Sequence, residues 1–315
     1  MNEPHPDYYD HPSFHPTTLR LKTPMMIELE KTMLRWVWTG STGGLIFGPS
    51  RIGKSKAMKW LTNVLRTRGG TVIPTYYISL GDRDIRTITA IFRALCYSAD
   101  LRVSNSDRAD HLIDRFIHYV LDQSVEAKCD QAVLIVDEMQ LLQLDQFEAF
   151  AELYNRLELF DILLSVFFVG NDPECWQLIN DIERLEKARI SGRFFTQGYE
   201  FNGITSCAQL TECLKQYDVL RFPIEGPTYT EYFLSNDVKN GWRLQSLDHI
   251  LWEGFRRYQK KYGFKSWGMK YFTGTILTLL SDYLPVYGIN AIDEGLIDEC
   301  IKISGLIPSL TRPAA

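Results

Sequence analysis

The sequence contains no C-x-x-C pair. Its six cysteines stand apart, at 96, 129, 175, 207, 213 and 300. That spacing builds neither a zinc ribbon nor a disulfide framework, and buried thiols in a reducing cytoplasm are the plain reading. Long hydrophobic runs are also missing. The longest, such as residues 162–170, are far too short to span a bilayer. No basic-then-apolar leader opens the chain. A cytoplasmic protein without a membrane partner is expected. Basic residues are not in excess either. A net charge of -5 and a pI near 5.7 exclude a globally basic nucleic-acid glove. A local basic patch stays open, because binding follows the local field and not the total. No internal repeat occurs, and no low-complexity tract beyond one Pro/His-rich arm.

What is present is ordinary globular material, 45% hydrophobic and 23% charged. A length of 315 residues suits a core plus a smaller second domain. Residues 1–24 carry five prolines, which predicts an extended arm. His5, His11 and His15 lie in it, where a polar tail is a plainer reading than a metal site. Apolar spacing predicts a helix over 25–38, a strand over 44–47 and a helix over 54–67. A strand over 72–80, helices over 85–99 and 108–123, a strand over 132–136, a helix over 148–159 and a strand over 162–169 follow. Strands this apolar, alternating with helices, indicate a parallel sheet covered on both faces. After Phe201 strands disappear. Helices are expected over 206–217, 244–262, 271–283 and 292–303, so a smaller helical domain follows the α/β core.

Residues 48–55 read G-P-S-R-I-G-K-S, a full Walker A motif. Gly48 and Gly53 let the backbone curl so that N–H groups point at phosphate oxygens. The helix starting near Lys54 aims its positive end at the same anion. Lys54 then reaches the β- and γ-phosphates, and the Ser55 hydroxyl ligates magnesium. The nucleotide-binding set is Gly48, Pro49, Ser50, Arg51, Ile52, Gly53, Lys54, Ser55 and Lys56, with ATP and Mg2+ as the expected ligands. The alternative is a glycine turn before a helix.

The run from Val133 to Glu138 is apolar and ends in an acidic pair, the form of a Walker B strand. Asp137 is expected to hold magnesium, and Glu138 to orient and polarise the attacking water. A second buried run ends in Val169, Gly170, Asn171 and Asp172. Asn171 is placed to hydrogen-bond the lytic water or γ-phosphate, the role called sensor 1; a turn asparagine is the bland alternative. Arg189 and Arg193 follow. Either suits a finger acting in trans on a neighbour's γ-phosphate, though a solvated surface arginine is the reading of the residues alone.

These parts, in this order, resemble an AAA+ ATPase. His11-Pro12, a helix carrying Trp36, the stretch from Gly43 to Ser55, Val136-Asp137-Glu138-Met139-Gln140, Val169-Gly170-Asn171-Asp172 and Gly192-Arg193-Phe194-Phe195 resemble the TnsC/TniB target-selection ATPases of bacterial transposons. The similarity covers roughly 11–300, with a loose match in the lid, and the size is close to the compact members found in CRISPR-associated transposons. It implies an α/β P-loop AAA+ core with a parallel sheet and a small helical lid, divided as an arm and helix over 1–40, a core over 41–202, and a lid and tail over 203–315. It further implies ATP-dependent homo-oligomeric rings or filaments around double-stranded DNA. These link a target-recognition adaptor, such as a TniQ-type protein with a CRISPR effector, to the transposase subunits. No DNA cleavage or joining of its own is implied. Arg193 matches the family's finger position, with Arg189 as the fallback. A sensor 2 arginine is missing if Thr275 holds that position.

In that family duplex DNA is held just after the second strand. Here this points to Arg83 and Arg86, with Ser104 to Ser106 as a second touch point. On sequence alone a capped helix start with local ion pairs competes with phosphate contact. Residues 254–271 are a further candidate, with six cations, five aromatics from Tyr258 to Tyr271 and no acid. A solvated helix face with its aromatics turned inward is the plainer reading. Two other function classes stay open: an AAA+ machine of the replication-initiator or helicase-loader type, and a signalling P-loop NTPase that does not bind DNA.

Overall fold

The computed structural model describes residues 9–82, 87–185 and 188–307. They divide into two compact units. One holds 28–50 and 54–201. The other takes in the described residues up to Ile27, Arg51–Gly53, and those from Asn202 onward.

The larger unit is built on five parallel strands: β1 (Gly43–Gly48), β2 (Thr75–Ser79), β3 (Gln131–Asp137), β4 (Leu163–Asn171) and β5 (Gly198–Glu200). Their order is β2-β3-β4-β1-β5. The central strands are the most apolar. Ala132 to Asp137 are all buried, whereas β2 alternates and β5 is short and partly exposed, as edge strands are. Successive side chains of one strand show that both faces are covered. Phe167 stacks on Trp36 of α1 (Pro24–Trp38), with ring centroids 5.8 Å apart. Phe168 meets Phe147 and Phe150 of α5 (Phe147–Glu158) and Phe194 on the other side. That side also carries α3 (Ile88–Ser98) and α4 (Ala109–Ala127). The Thr87 hydroxyl caps α3 by accepting from Ala90 N–H.

Several boundaries differ from the sequence reading. The helix after the phosphate loop, α2 (Lys54–Leu61), stops short of 67. Val64 N–H bonds Leu61 C=O three residues back, and the chain turns through Gly70 into a bridge between Arg66 and Val72. Strand β2 begins only at Thr75, because Pro74 has no N–H for the ladder. Helices α6 (Glu174–Arg184) and α7 (Ala188–Phe194) and strand β5 were not foreseen.

The smaller unit is helical: α8 (Cys207–Val219), α9 (Tyr229–Phe233), α10 (Ser235–Lys239), α11 (Asp248–Tyr262), α12 (Met269–Thr278), α13 (Leu284–Tyr287) and α14 (Glu294–Ile303). Its only β pairing among the described residues is isolated bridges. Trp267 lies flat on Phe255, centroids 5.0 Å apart, and edge-on to Phe272. Asp218 joins three segments by accepting from the Thr230 hydroxyl and from Leu244 and Gln245 N–H. From Tyr9 onward the Pro-rich arm belongs to this core, which corrects its reading as a polar tail. His11 is fully buried against Phe222, Tyr229, Tyr232 and Phe233. Its Nδ1 accepts from Ser13 N–H while Nε2 has no partner among the described residues. Burial pushes its pKa down to about 4.

Candidate nucleotide site

The site grows from the carboxyl ends of three adjacent strands, where open parallel sheets place their ligands. Gly48 at the end of β1 lies opposite Asn171 at the end of β4, and β4 pairs on its other side with β3, which ends in Asp137. The loop from Gly48 to Gly53 then turns into α2. Gly53 has a φ of 108°, a conformation closed to residues with a Cβ. Ile52 is buried, and Ser50 and Arg51 are exposed. Pro49 and Ser55 are half-buried, while Lys56 is exposed on α2.

Lys54 is almost wholly buried. Its ammonium donates to Gly48 C=O and Pro49 C=O at 2.7 Å each and to Asn171 Oδ1 at 3.0 Å. Burial lowers its pKa, while the carboxylates of Asp137 and Glu138 oppose that shift. A cation enclosed by carbonyl oxygens and facing two carboxylates is held at the mouth of the loop.

Asp137 is buried too. Its Oδ1 accepts Glu138 N–H at 2.9 Å and its Oδ2 accepts the Tyr77 hydroxyl at 2.6 Å. Glu138 takes a left-handed backbone conformation, φ 60°. That conformation is costly for a residue with a side chain and recurs at functional sites. Its Oε2 accepts from Asn171 Nδ2 at 3.2 Å and from Gln140 Nε2. Gln140 Oε1 in turn accepts Asn171 N–H at 3.2 Å. Asn171 therefore touches Lys54 with one end of its amide and Glu138 with the other. Lys54, Asp137, Glu138 and Asn171 form one hydrogen-bonded and charged cluster. Sequence reasoning missed Gln140 and Tyr77. Gln140 had a signal, lying two residues past Glu138. Tyr77 had none, because it comes from a different strand.

The donor set suits magnesium. Ser55 offers a hydroxyl and Asp137 a carboxylate, the hard oxygen ligands that this ion takes. No sulfur or imidazole ligand belongs to the set.

The arginines are placed elsewhere. The Arg193 guanidinium donates to Asn155 Oδ1 at 2.8 Å and lies 4.4 Å above the Tyr154 ring. Its carbonyl accepts from the Thr42 hydroxyl, just before β1 begins. Arg193 thus sits at the amino end of the strand whose carboxyl end carries the phosphate loop. Arg189 pairs with Glu148 in the first turn of α5. Thr275 is fully buried and donates its hydroxyl to Tyr271 C=O, as a helix-core threonine does.

Arg83 and Arg86, the expected DNA contacts, lie outside the described residues. Ser104 is exposed in a turn, where its N–H donates to Asp107. In 254–271 the cations point outward, while Tyr258 and Trp267 are buried. Arg256 pairs with Glu253 and Arg257 with Glu294.

A family profile described as an AAA domain matches residues 39–179, a little under half the chain. No curated protein matches it in sequence. Among solved structures, the chain is similar to Cdc6p from Pyrobaculum aerophilum, at 14% identity and a TM-score of 0.45, covering 93% of this chain and 83% of that one. It is also similar to a Walker-type ATPase of Pyrococcus abyssi, at 15% identity and a TM-score of 0.41, covering 91% and 89%. The stretch similar to an AAA domain folds as a P-loop α/β core, and Lys54, Asp137, Glu138 and Asn171 gather at the carboxyl ends of its parallel strands.

Proposed function

We propose that this chain is a magnesium-dependent ATPase that assembles on double-stranded DNA, as a TnsC/TniB-type regulator of transposition. Lys54 and the loop N–H groups hold the phosphates. Ser55 and Asp137 hold magnesium, which when bound neutralises charge on the β- and γ-phosphates. Glu138 takes up the proton side of the attacking water, and Asn171 fixes Glu138 relative to Lys54. The reading of assembly is carried by one observation. Arg193 lies at the amino end of β1, while Lys54 follows its carboxyl end. Six strand residues separate the two ends, a span of about 20 Å. Arg193 cannot reach its own phosphates across that span, but it can serve a second copy. The transposition role and the partners — an adaptor for target choice and the transposase subunits — rest on the motif resemblance.

The test is electron microscopy with ATP, ADP or no nucleotide, with and without duplex DNA. Rings or filaments that enclose DNA only with ATP are expected. Particles indifferent to DNA favour a signalling NTPase. Co-purification with a replicative helicase, in place of a transposase, favours a loader.

A further inference from the structure

We infer that Tyr77 is a positioning residue for the magnesium ion: its hydroxyl orients the carboxylate of Asp137, one of the two expected metal ligands. The inference rests on the reading of Ser55 and Asp137 as magnesium ligands, and it adds a fourth strand, β2, to the site.

The fold places Tyr77 there. Strand β2 pairs with β3 so that Tyr77 lies opposite Ile135 and Ser79 opposite Asp137. Alternation sends Tyr76 and Ile78 into the core, where Tyr76 meets Phe116 at 5.2 Å. Tyr77 therefore faces the other side of the sheet, shared with Ile135 and Asp137. Residues diagonal across a strand pair are within reach of a long aromatic side chain. The hydroxyl donates to Asp137 Oδ2 at 2.6 Å, the length of a charge-assisted bond. The side chains of Ser55 and Ser79 lie near this phenol. The ring is held from α2, where Lys59 Nζ stands 5.4 Å from its centroid. Lys59 and Ser55 are four residues apart on that helix and so share a face.

With Glu138 N–H on Oδ1 and Tyr77 on Oδ2, the Asp137 carboxylate has a donor on each oxygen. A ligating carboxylate fixed by such partners binds its metal more tightly, and loss of the outer partner costs roughly 10–100-fold in metal affinity or activity. Tyr77→Phe keeps the ring and its contact with Lys59 and removes only the donor.

The experiment titrates Mg2+ against binding of a fluorescent ATP analogue to the full chain. Wild type, Tyr77→Phe and Asp137→Asn are compared, with a parallel series in EDTA. Tyr77→Phe should raise the Mg2+ concentration at half-effect by about tenfold and leave EDTA binding unchanged. A thermal melt in EDTA checks that the variant is folded. An unchanged or lowered Mg2+ half-point in Tyr77→Phe overturns the inference, as does an equal loss of binding with and without Mg2+, which marks a merely structural role. If Asp137→Asn also leaves the Mg2+ dependence intact, the assignment of the metal ligands itself fails. If Asp137→Asn abolishes it and Tyr77→Phe does not, only the role of Tyr77 fails.

Discussion

Lys54 on α2 donates to Asn171 at the end of β4, 3.0 Å away, so the Walker A lysine and the asparagine that ends the fourth strand act as one hydrogen-bonded unit. Lys54→Ala should therefore do more than delete a cation. It removes the charge-assisted bonds to phosphate, each worth about 1.5–3 kcal/mol, and frees Asn171 to shift. ATP affinity should fall by at least tenfold. Equilibrium binding of a fluorescent ATP analogue measures it, and wild-type-like binding would remove Lys54 from the site.

Glu138→Gln should separate binding from turnover. Phosphate and magnesium binding do not use the second carboxylate oxygen of Glu138, and the amide still accepts from Asn171. Water activation does use it. Phosphate release should fall by about 10²–10⁴-fold, with ATP affinity and ATP-dependent assembly retained. Parallel phosphate-release and particle-size measurements check both halves.

Arg193→Ala should lower hydrolysis by about 10³-fold or more and reduce ATP-dependent assembly with it. Among the described residues of one chain it loses the exposed Asn155 bond and the contact of a half-buried guanidinium with the Tyr154 ring. The monomer's melting point should therefore barely move. If Arg189→Ala gives this phenotype instead, the finger is Arg189, released from Glu148. If neither does, catalysis between subunits is the wrong model.

Arg83→Ala with Arg86→Ala should weaken duplex DNA binding alike at all sequences. The slope of log affinity against log salt should flatten by about 1.8, from roughly 0.9 per phosphate contact. Fluorescence anisotropy across a salt series reads it. An unchanged slope moves the contact, and Lys260 and Lys261 on the exposed face of α11 are then the residues to change next.

His11 predicts how stability depends on pH. The native ring takes up a proton only near pH 4, whereas an unfolded histidine does so near 6.5. Its contribution is fully present above pH 6.5 and is lost as pH falls from there toward 4. Within that window the loss is at most about 1.4 kcal/mol per pH unit. His11→Phe should flatten the dependence of the melting temperature on pH between 6.5 and 5. An identical slope in wild type and variant would assign the effect to other groups.

The candidate site was legible because its main parts are local in sequence. A phosphate loop must be a strand, a turn and a helix in succession, and Asp137 and Glu138 are neighbours at a strand end. The strands were legible because central β3 and β4 are nearly unbroken apolar runs. What stayed hidden needs two distant segments at once. Tyr77 reaches Asp137 only through the pairing of β2 with β3, and His11 is buried only because α9 closes over it. The short elements α6, α7 and β5 were missed because each is brief and takes its stability from packing. Helix α6 presents Cys175, Ile179 and Ile182 to the core, and nothing in their immediate surroundings announces a strand-to-helix return.

Gly43 and Gly44 bear on what kinship means here. A Cβ on Gly43 would come within 2.5 Å of Val166 C=O, and one on Gly44 within 2.9 Å of the Trp36 ring. The pair is bare because a neighbouring strand and the indole of the leading helix press against it. Any lineage that lays a tryptophan of this helix across the first strand must write a glycine at position 44, whatever it does with nucleotide. Gly44 and Trp36 should then change together in descendants, as a lock changes with its key, and independently of Asp137 and Glu138.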